Sequence, residues 1–251
     1  MKVNTVKRKL AEGKPAVGTW LSLCSPVAAE YMAHMNWDWL VVDTEHSPIG
    51  FENALHCFQA ICTTDVIPMA RVAWNDAQLI KRLLDAGAMG LVVPMVNSAE
   101  EARRAVAAMK YPPDGVRSLG GGRAIVYGDD YMLRANDEIC CVVQIEHIDA
   151  VRAAEDILSV EGVDACFIGP NDLAGSMGLK PDMTVSNPIH EEAVQQVLRA
   201  AQKVGTPAGI HVPDAQHAVR RLEQGFRFVA IGSDANFMRQ AGRDTLKAIG
   251  R

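Results

Sequence analysis

The sequence predicts a (β/α)₈ barrel, and three observations carry that reading. First, one pattern recurs: a helix end, then Gly or Asn, then a short apolar run. It appears in MNWDWLVVD (35–43), AGAMGLVVP (86–94), EGVDACFIG (161–169) and QGFRFVAIG (224–232). The Gly or Asn suits the left-handed residue that ends a helix, and an all-apolar strand is expected where both faces are covered. Second, filling the gaps gives eight strands alternating with helices in 251 residues, a length that suits one barrel domain over 1–251. Third, polar residues gather just past the strand ends. An open doubly wound sheet is the alternative. No GxGxxG follows the first strand, which weakens a dinucleotide-binding version.

Taken in order, a short helix over 5–11 precedes strand one at 16–20. Pro26 opens a helix over 26–35, at a position where a missing N–H costs nothing. Strand two spans 39–43 and its helix 51–61; strand three spans 66–71 and leads through Trp74 and Asn75 into a helix over 76–85. Strand four, 91–94, is followed by a helix over 98–110, where Ser98 and Glu101 have capping-box spacing. Strands five (140–143) and six (165–168) flank helical spacing over 148–158 that Gly162 ends. A helix over 190–203, strand 207–210, helix 214–222, strand 228–231 and helix 236–249 complete the series.

The composition, 49% hydrophobic and 22% charged with net charge −5, is that of an ordinary globular chain. Acids and bases are mixed, so no nucleic-acid or anionic-membrane partner is expected. The basic stretch MKVNTVKRKLAEGK has no apolar core after it and does not read as a secretory signal. No run is long enough to span a bilayer. The six cysteines lack metal-ligand spacing, and Cys140, Cys141 and Cys166 fall in core strands, so a reducing cytoplasm is expected.

The unit over 139–177 organises the chemistry. A strand–helix–strand of this length is a parallel crossover, so Glu146 and Asp172 emerge past two strand ends on one face. Two converging carboxylates suit a hard divalent cation; a helix N-cap and a solvated loop acid account for them equally. The remaining strand ends supply Trp20 and Ser22, Asp43 with Glu45 and His46, Arg71, Pro94, Gln144, Asn171, His211, and Ser233 with Asp234. His46 is a candidate general base, since imidazole titrates near neutrality; a plain loop histidine is the alternative. Arg71 ends a buried strand and needs an anionic ligand or a salt bridge to Asp43 or Glu45. Lysines fall on helices or before strand one, with only Lys180 in a loop near the catalytic face, which argues against an imine mechanism. The segment 111–138, with Gly120, Gly121 and Gly122, is long enough to be functional. Its Arg117, Ser118 and Arg123 are expected either to close over an anionic substrate or to form an interface or surface loop.

WDWLVVDTEHSP (37–48), PMARVAWND (68–76), IKRLLDAGAMGLVVPMV (80–96), YPPDGVRS (111–118), VQIE (143–146) and EGVDACFIGPNDLAGSMG (161–178) together resemble the HpcH/HpaI family of class II, metal-dependent pyruvate aldolases. The resemblance implies a (β/α)₈ barrel whose last helix is exchanged between subunits, in hexamers built as trimers of dimers. It implies reversible cleavage of a 4-hydroxy-2-oxo acid to pyruvate and an aldehyde. Glu146 and Asp172 resemble the ligands of Mg²⁺, Mn²⁺ or Co²⁺. Gln144, Asn171 and Asp172 match substrate-binding positions, with Trp20 a further candidate contact. Arg71 matches the residue that stabilises the enolate oxygen, His46 the base, and Asp85 the acid that raises its basicity. Within one chain Asp85, at a helix end, is expected about 15 Å from His46, so that pairing implies a site shared between subunits. His211 departs from the family's apolar residue after strand seven. It is expected to tune the aldehyde, away from the Glu146–Asp172 pair. Alternatives are a lyase for acyl-CoA esters, an oxaloacetate decarboxylase using the same enolate site, and a non-catalytic pyruvate- or metal-binding barrel.

Overall fold

The computed structural model describes residues 1–251. Eight parallel strands close in sequence order, with the eighth pairing the first: β1 (Ala16–Leu21), β2 (Trp39–Asp43), β3 (Ile67–Arg71), β4 (Gly90–Val93), β5 (Cys140–Ile145), β6 (Ala165–Ile168), β7 (Ala208–Val212) and β8 (Phe228–Ser233). The helices are α1 (Thr5–Ala11), α2 (Pro26–Ala33), α3 (Phe51–Ile61), α4 (Ala77–Ala86), α5 (Ala99–Met109), α6 (Tyr131–Glu138), α7 (Ile148–Arg152), α8 (Ala154–Leu158), α9 (Pro170–Ser176), α10 (Pro188–Val204), α11 (Ala215–Gln224) and α12 (Asp234–Ala248). The (β/α)₈ expectation therefore holds. No helix is long and apolar enough to cross a membrane.

Period-two alternation divides the apolar residues of each strand between two cores. Trp39, Val41, Met69, Val92, Val142, Phe167 and Phe228 fill the barrel interior, while Leu40, Val42, Ala70, Val143, Ile168 and Val229 pack outward against the helices. Trp39 stacks on Phe228 with ring centroids 4.3 Å apart. It fits because Gly18 faces it: a Cβ there would lie 2.2 Å from the indole. Val6 and Leu10 of α1 plug the amino-terminal end of this interior. Asn4 caps α1 and donates from Nδ2 to the carbonyls of Met89 and Glu138, tying the plug to the strands.

One expectation changes, and one of two alternatives falls away within the chain. The run over 148–158 is two helices, α7 and α8, interrupted at Ala153. The segment 111–138 does not close over the strand carboxyl ends. It connects a helix to the start of a strand, so topology holds it at the amino-terminal face. A 3₁₀ turn, Gly122–Tyr127, and α6 order it there. Arg117 is buried, donating to Asp85 and to the Tyr131 hydroxyl, with its guanidinium 4.4 Å over the Tyr111 ring. Tyr127 donates to the Gly87 carbonyl, and Ser118 accepts from Lys81.

Candidate active site

Strand register builds the first half of the site. Asp43 and Arg71 are paired residues on β2 and β3, so their side chains emerge together at the carboxyl end. Arg71 donates from Nε to Asp43 Oδ1 at 2.9 Å and from Nη2 to Oδ2 at 2.7 Å. Glu45 Oε2 lies 3.2 Å from the same Nε, and the guanidinium sits 4.5 Å over the Trp20 ring. Nη1 has no protein partner, which leaves one nitrogen of a fixed cation, with its two N–H donors, for a ligand. Asp43 also accepts from the backbone N–H groups of Glu45 and His46, which sets the turn that carries both. Burial alone would raise the Asp43 carboxyl, but the Arg71 ion pair and these donors bring it below its usual value. Burial raises the Glu45 carboxyl, and neighbouring Asp43 and Asp172 add to the rise against the pull of Arg71. His46 is 62% exposed, with Nε2 3.8 Å from Glu45 Oε1.

The second half lies across the barrel mouth. Gln144 is inside β5 and Glu146 follows directly after it. Glu146 Oε1 accepts from the Met95 N–H at 2.8 Å, where Met95 turns out of β4 with φ of 52°. Oε2 accepts from Gln144 Nε2. The carboxyl fits only because residue 169 is glycine; a Cβ there would come within 2.6 Å of Oε2. Burial, reinforced by the charges of Asp172 and Glu45, pushes the Glu146 carboxyl up to about 7. Asn171 and Asp172 sit not in a loop but in the first turn of α9, a seven-residue helix that the sequence did not signal.

Trp20, His46, Arg71, Gln144, Asn171, Asp172 and His211 all line one cleft of about 300 Å³, and Glu146 lies immediately beneath Gly169 and Gln144 at its floor. His211 belongs to β7, which continues two residues past its expected end. It lines the same cleft as Asp172, on the side formed by β7, β8 and β1. Its ring lies 5.7 Å from Trp20 and 6.3 Å from Phe167.

The sequence profile described as HpcH/HpaI aldolase/citrate lyase matches residues 16–241. A 4-hydroxy-2-oxo-heptane-1,7-dioate aldolase of Shigella flexneri is 42% identical over 245 residues, covering 95% of this chain and 90% of that protein. The chain belongs to the HpcH/HpaI aldolase/citrate lyase family. Among solved structures, a family member from Burkholderia cenocepacia superposes with a TM-score of 0.94 at 34% identity, covering 99% of this chain and all of the other. An HpcH/HpaI aldolase from Desulfitobacterium hafniense gives 0.90 at 32% identity, covering 97% of this chain and 95% of that one. The protein is thus an enzyme of the aldolase and lyase type.

Of the residues expected in an HpcH/HpaI aldolase site, Asp85 alone stands apart. It ends α4, and its Oδ1 accepts from Arg117 Nη2 at 2.7 Å. No contact joins it to His46 within the chain. Phe167, Met183 and Asn236 line the cleft but escaped the sequence reading. Phe167 is hidden within an all-apolar strand, and Met183 lies in an irregular stretch with no periodicity. Asn236 was legible as a polar residue just past strand eight. Asp234, which was legible, fixes the β1 loop by accepting from Ser22 N, Ser22 Oγ and Leu23 N.

Proposed function

We propose that this enzyme is a class II pyruvate aldolase that reversibly cleaves a 4-hydroxy-2-oxo acid to pyruvate and an aldehyde. The observation that carries the reading is the convergence at one cleft of a fixed cation, Arg71, with more carboxylates than it can compensate, the buried Glu146 foremost. Arg71 is the one Lys or Arg side chain lining that cleft, so no lysine is available to form an imine. Asp43, Glu45 and Glu146 act on this single cation, and Asp172 lies beside Glu45 and Glu146.

The donor set fits a divalent cation. A buried carboxyl raised to about 7 beside a second carboxylate is what a hard cation would return to the charged form. No three His, Cys, Asp or Glu side chains are arranged to hold a metal ion by themselves; Glu146 and Asp172 would be the protein ligands, with substrate or water oxygens completing the set. Bound there, Mg²⁺, Mn²⁺ or Co²⁺ supplies Lewis-acid stabilisation of negative charge on the keto oxygen. His46 takes the proton of the substrate 4-hydroxyl. The C3–C4 electron pair passes to the pyruvate fragment as the aldehyde leaves, and Arg71 Nη1 donates to the oxygen on which that charge develops. Gln144 and Asn171 hold the pyruvate fragment, and Trp20 walls the cleft beside Arg71. C3 of the enolate then takes up a proton to give pyruvate.

The active form on this reading is a homo-oligomer, a hexamer by resemblance. Supporting it, α12 buries only Asp234, while Met238, Leu246 and Ile249 lie exposed. A panel of 4-hydroxy-2-oxo acids and oxaloacetate, assayed for pyruvate release, tests the function. Release from oxaloacetate alone overturns it in favour of a decarboxylase. A CoA-ester lyase is disfavoured, because no further cation lines the cleft to meet CoA phosphates.

A further inference from the structure

We propose that His211 is a hydrogen-bond acceptor that selects an aldehyde fragment bearing a hydroxyl group over one bearing a methyl or a second carboxylate. The inference rests on the aldolase reading and adds to it the chemical class of the variable substrate half.

The tautomer follows from one contact. His211 Nε2 lies 3.0 Å from the Gly232 carbonyl oxygen. A carbonyl only accepts, so Nε2 carries the hydrogen and donates. Burial, with the nearby Arg71 charge opposing a second proton, pushes the imidazole down to about 4 despite the Gly232 contact and Asp43. The ring is therefore neutral at physiological pH and has one proton, already committed to Nε2. Nδ1 is left with a lone pair. It has no protein partner and is not sealed in the interior, and its ring lines the cleft. A fixed, neutral, unpartnered acceptor in a partly desolvated cleft favours a ligand donor and gains nothing from an anion.

Its surroundings agree. The cleft has two sides. Gln144, Glu146 and Asp172 lie on β5 and just after β5 and β6. His211, Ser233 and Ser22 come from β7, β8 and the end of β1, which are adjacent strands, and Asn236 from the first turn of α12. This second side is polar and carries no Lys or Arg. Arg71 is on β3, with two of its three nitrogens on Asp43. A hydroxyl on the aldehyde fragment meets Nδ1, whereas the one cation near a carboxylate there is Arg71, already paired with Asp43. The Trp20 and Phe167 rings beside His211 limit the space in which water could stand in for the missing donor.

Aldol addition of pyruvate to glycolaldehyde, propanal and succinic semialdehyde tests the assignment, read as ratios of kcat/KM within each variant. Glycolaldehyde and propanal differ by a hydroxyl against a methyl. The wild type should favour glycolaldehyde over both others. His211→Leu should lower the glycolaldehyde-to-propanal ratio about tenfold, as expected for one neutral hydrogen bond. His211→Gln, whose amide can donate to Gly232 and still present an oxygen, should keep most of it. An unchanged ratio in His211→Leu, a collapsed ratio in a folded His211→Gln, or a wild-type preference for propanal or succinic semialdehyde overturns the proposal. A wild type that adds pyruvate to no aldehyde and does not exchange the pyruvate methyl protons overturns the aldolase reading itself. Exchange without aldehyde discrimination overturns only the role of His211.

Discussion

Replacing Arg71 by lysine separates its chemical role from its structural one. Arg71 and Asp43 are 12% and 7% exposed, so they form a buried pair. Removing one partner of such a pair costs about 3–5 kcal/mol, because the other charge stays buried without compensation. Asp43 keeps the Glu45 and His46 N–H groups, which places Arg71→Ala near the lower end. About 3 kcal/mol in a chain of this size is a fall of about 6–12 °C in Tm. Arg71→Lys retains the charge beside Asp43 and should melt close to the wild type. One ammonium cannot replace the fork that holds Asp43 while aiming Nη1 into the cleft. Pyruvate enolisation in Arg71→Lys should therefore fall about 10²–10³-fold, the usual loss for one oxyanion donor. Deuterium exchange of the pyruvate methyl, followed by NMR, measures it. Exchange at the wild-type rate in a folded Arg71→Lys refutes the reasoning and makes Arg71 a structural pair.

The same pair sets a pH signature. With Arg71 present, the folded Asp43 carboxyl lies below its unfolded value. Its stabilisation is therefore present above about pH 4 and is lost as pH falls through the folded value. Without Arg71, burial raises that carboxyl above the unfolded value, and the group becomes destabilising at neutral pH. The Tm deficit of Arg71→Ala should be largest near pH 7 and shrink as pH drops towards 4. A deficit that grows in acid contradicts the sign.

Chelation should abolish turnover, and borohydride with pyruvate should trap no adduct; a covalent adduct by mass spectrometry would restore the imine mechanism. His46→Ala should lower aldol cleavage by about 10²–10⁴-fold, and retention of the wild-type rate would remove it as the base. Burial holds His211 near 4 against about 6.5 unfolded, so unfolded chains bind more protons in that window. Stability should fall by up to about 3 kcal/mol from pH 6.5 to 4, and His211→Leu should flatten that slope in chemical denaturation. If Asp85 serves a neighbouring subunit's His46, mixed oligomers of Asp85→Asn and His46→Ala chains should regain about a quarter of the wild-type sites at equal mixing. Background activity in verified mixed oligomers excludes the shared site.

The strands were legible because a parallel strand buried on both faces must be apolar along its length, as WLVVD and ACFI are. The strand-end residues were legible for the complementary reason: Asp43, Glu146 and His211 are polar where packing alone would place apolar side chains. The errors have physical causes. α9 is seven residues with Gly175 inside it, too short for helical periodicity to register. β7 runs two residues beyond its expected end, so His211, expected just past the strand at the same face, lies within it. For Arg117 and Arg123 both substrate closure and an interface or surface loop stood open, when the order of elements already assigned their segment to the opposite face. There Arg117 is sandwiched by Tyr111 and Tyr131. The salt-bridge and oxyanion readings of Arg71 were posed as alternatives, yet the geometry accommodates both. Two nitrogens make the bridge and the third is free.

The balance of charge at the barrel mouth ties these features together. Four carboxylates, from Asp43, Glu45, Glu146 and Asp172, share the barrel mouth with one guanidinium, and burial works against ionising three of them. A sequence shaped only for stability would place apolar groups there, as it does everywhere else in the barrel interior. The excess negative charge is a local cost to the fold. It is relieved by anything that brings positive charge to Glu146 and Asp172. The His211 side of the cleft carries no such excess and recognises its ligand through neutral donors and acceptors. The two halves of a 4-hydroxy-2-oxo acid differ in the same way: an oxo-acid end whose cleavage develops negative charge, and an aldehyde end that stays uncharged unless it carries its own acid. Cation binding should therefore stabilise the fold and complete the charged half together, while changes on β7 and β8 alter aldehyde choice with little effect on cation affinity.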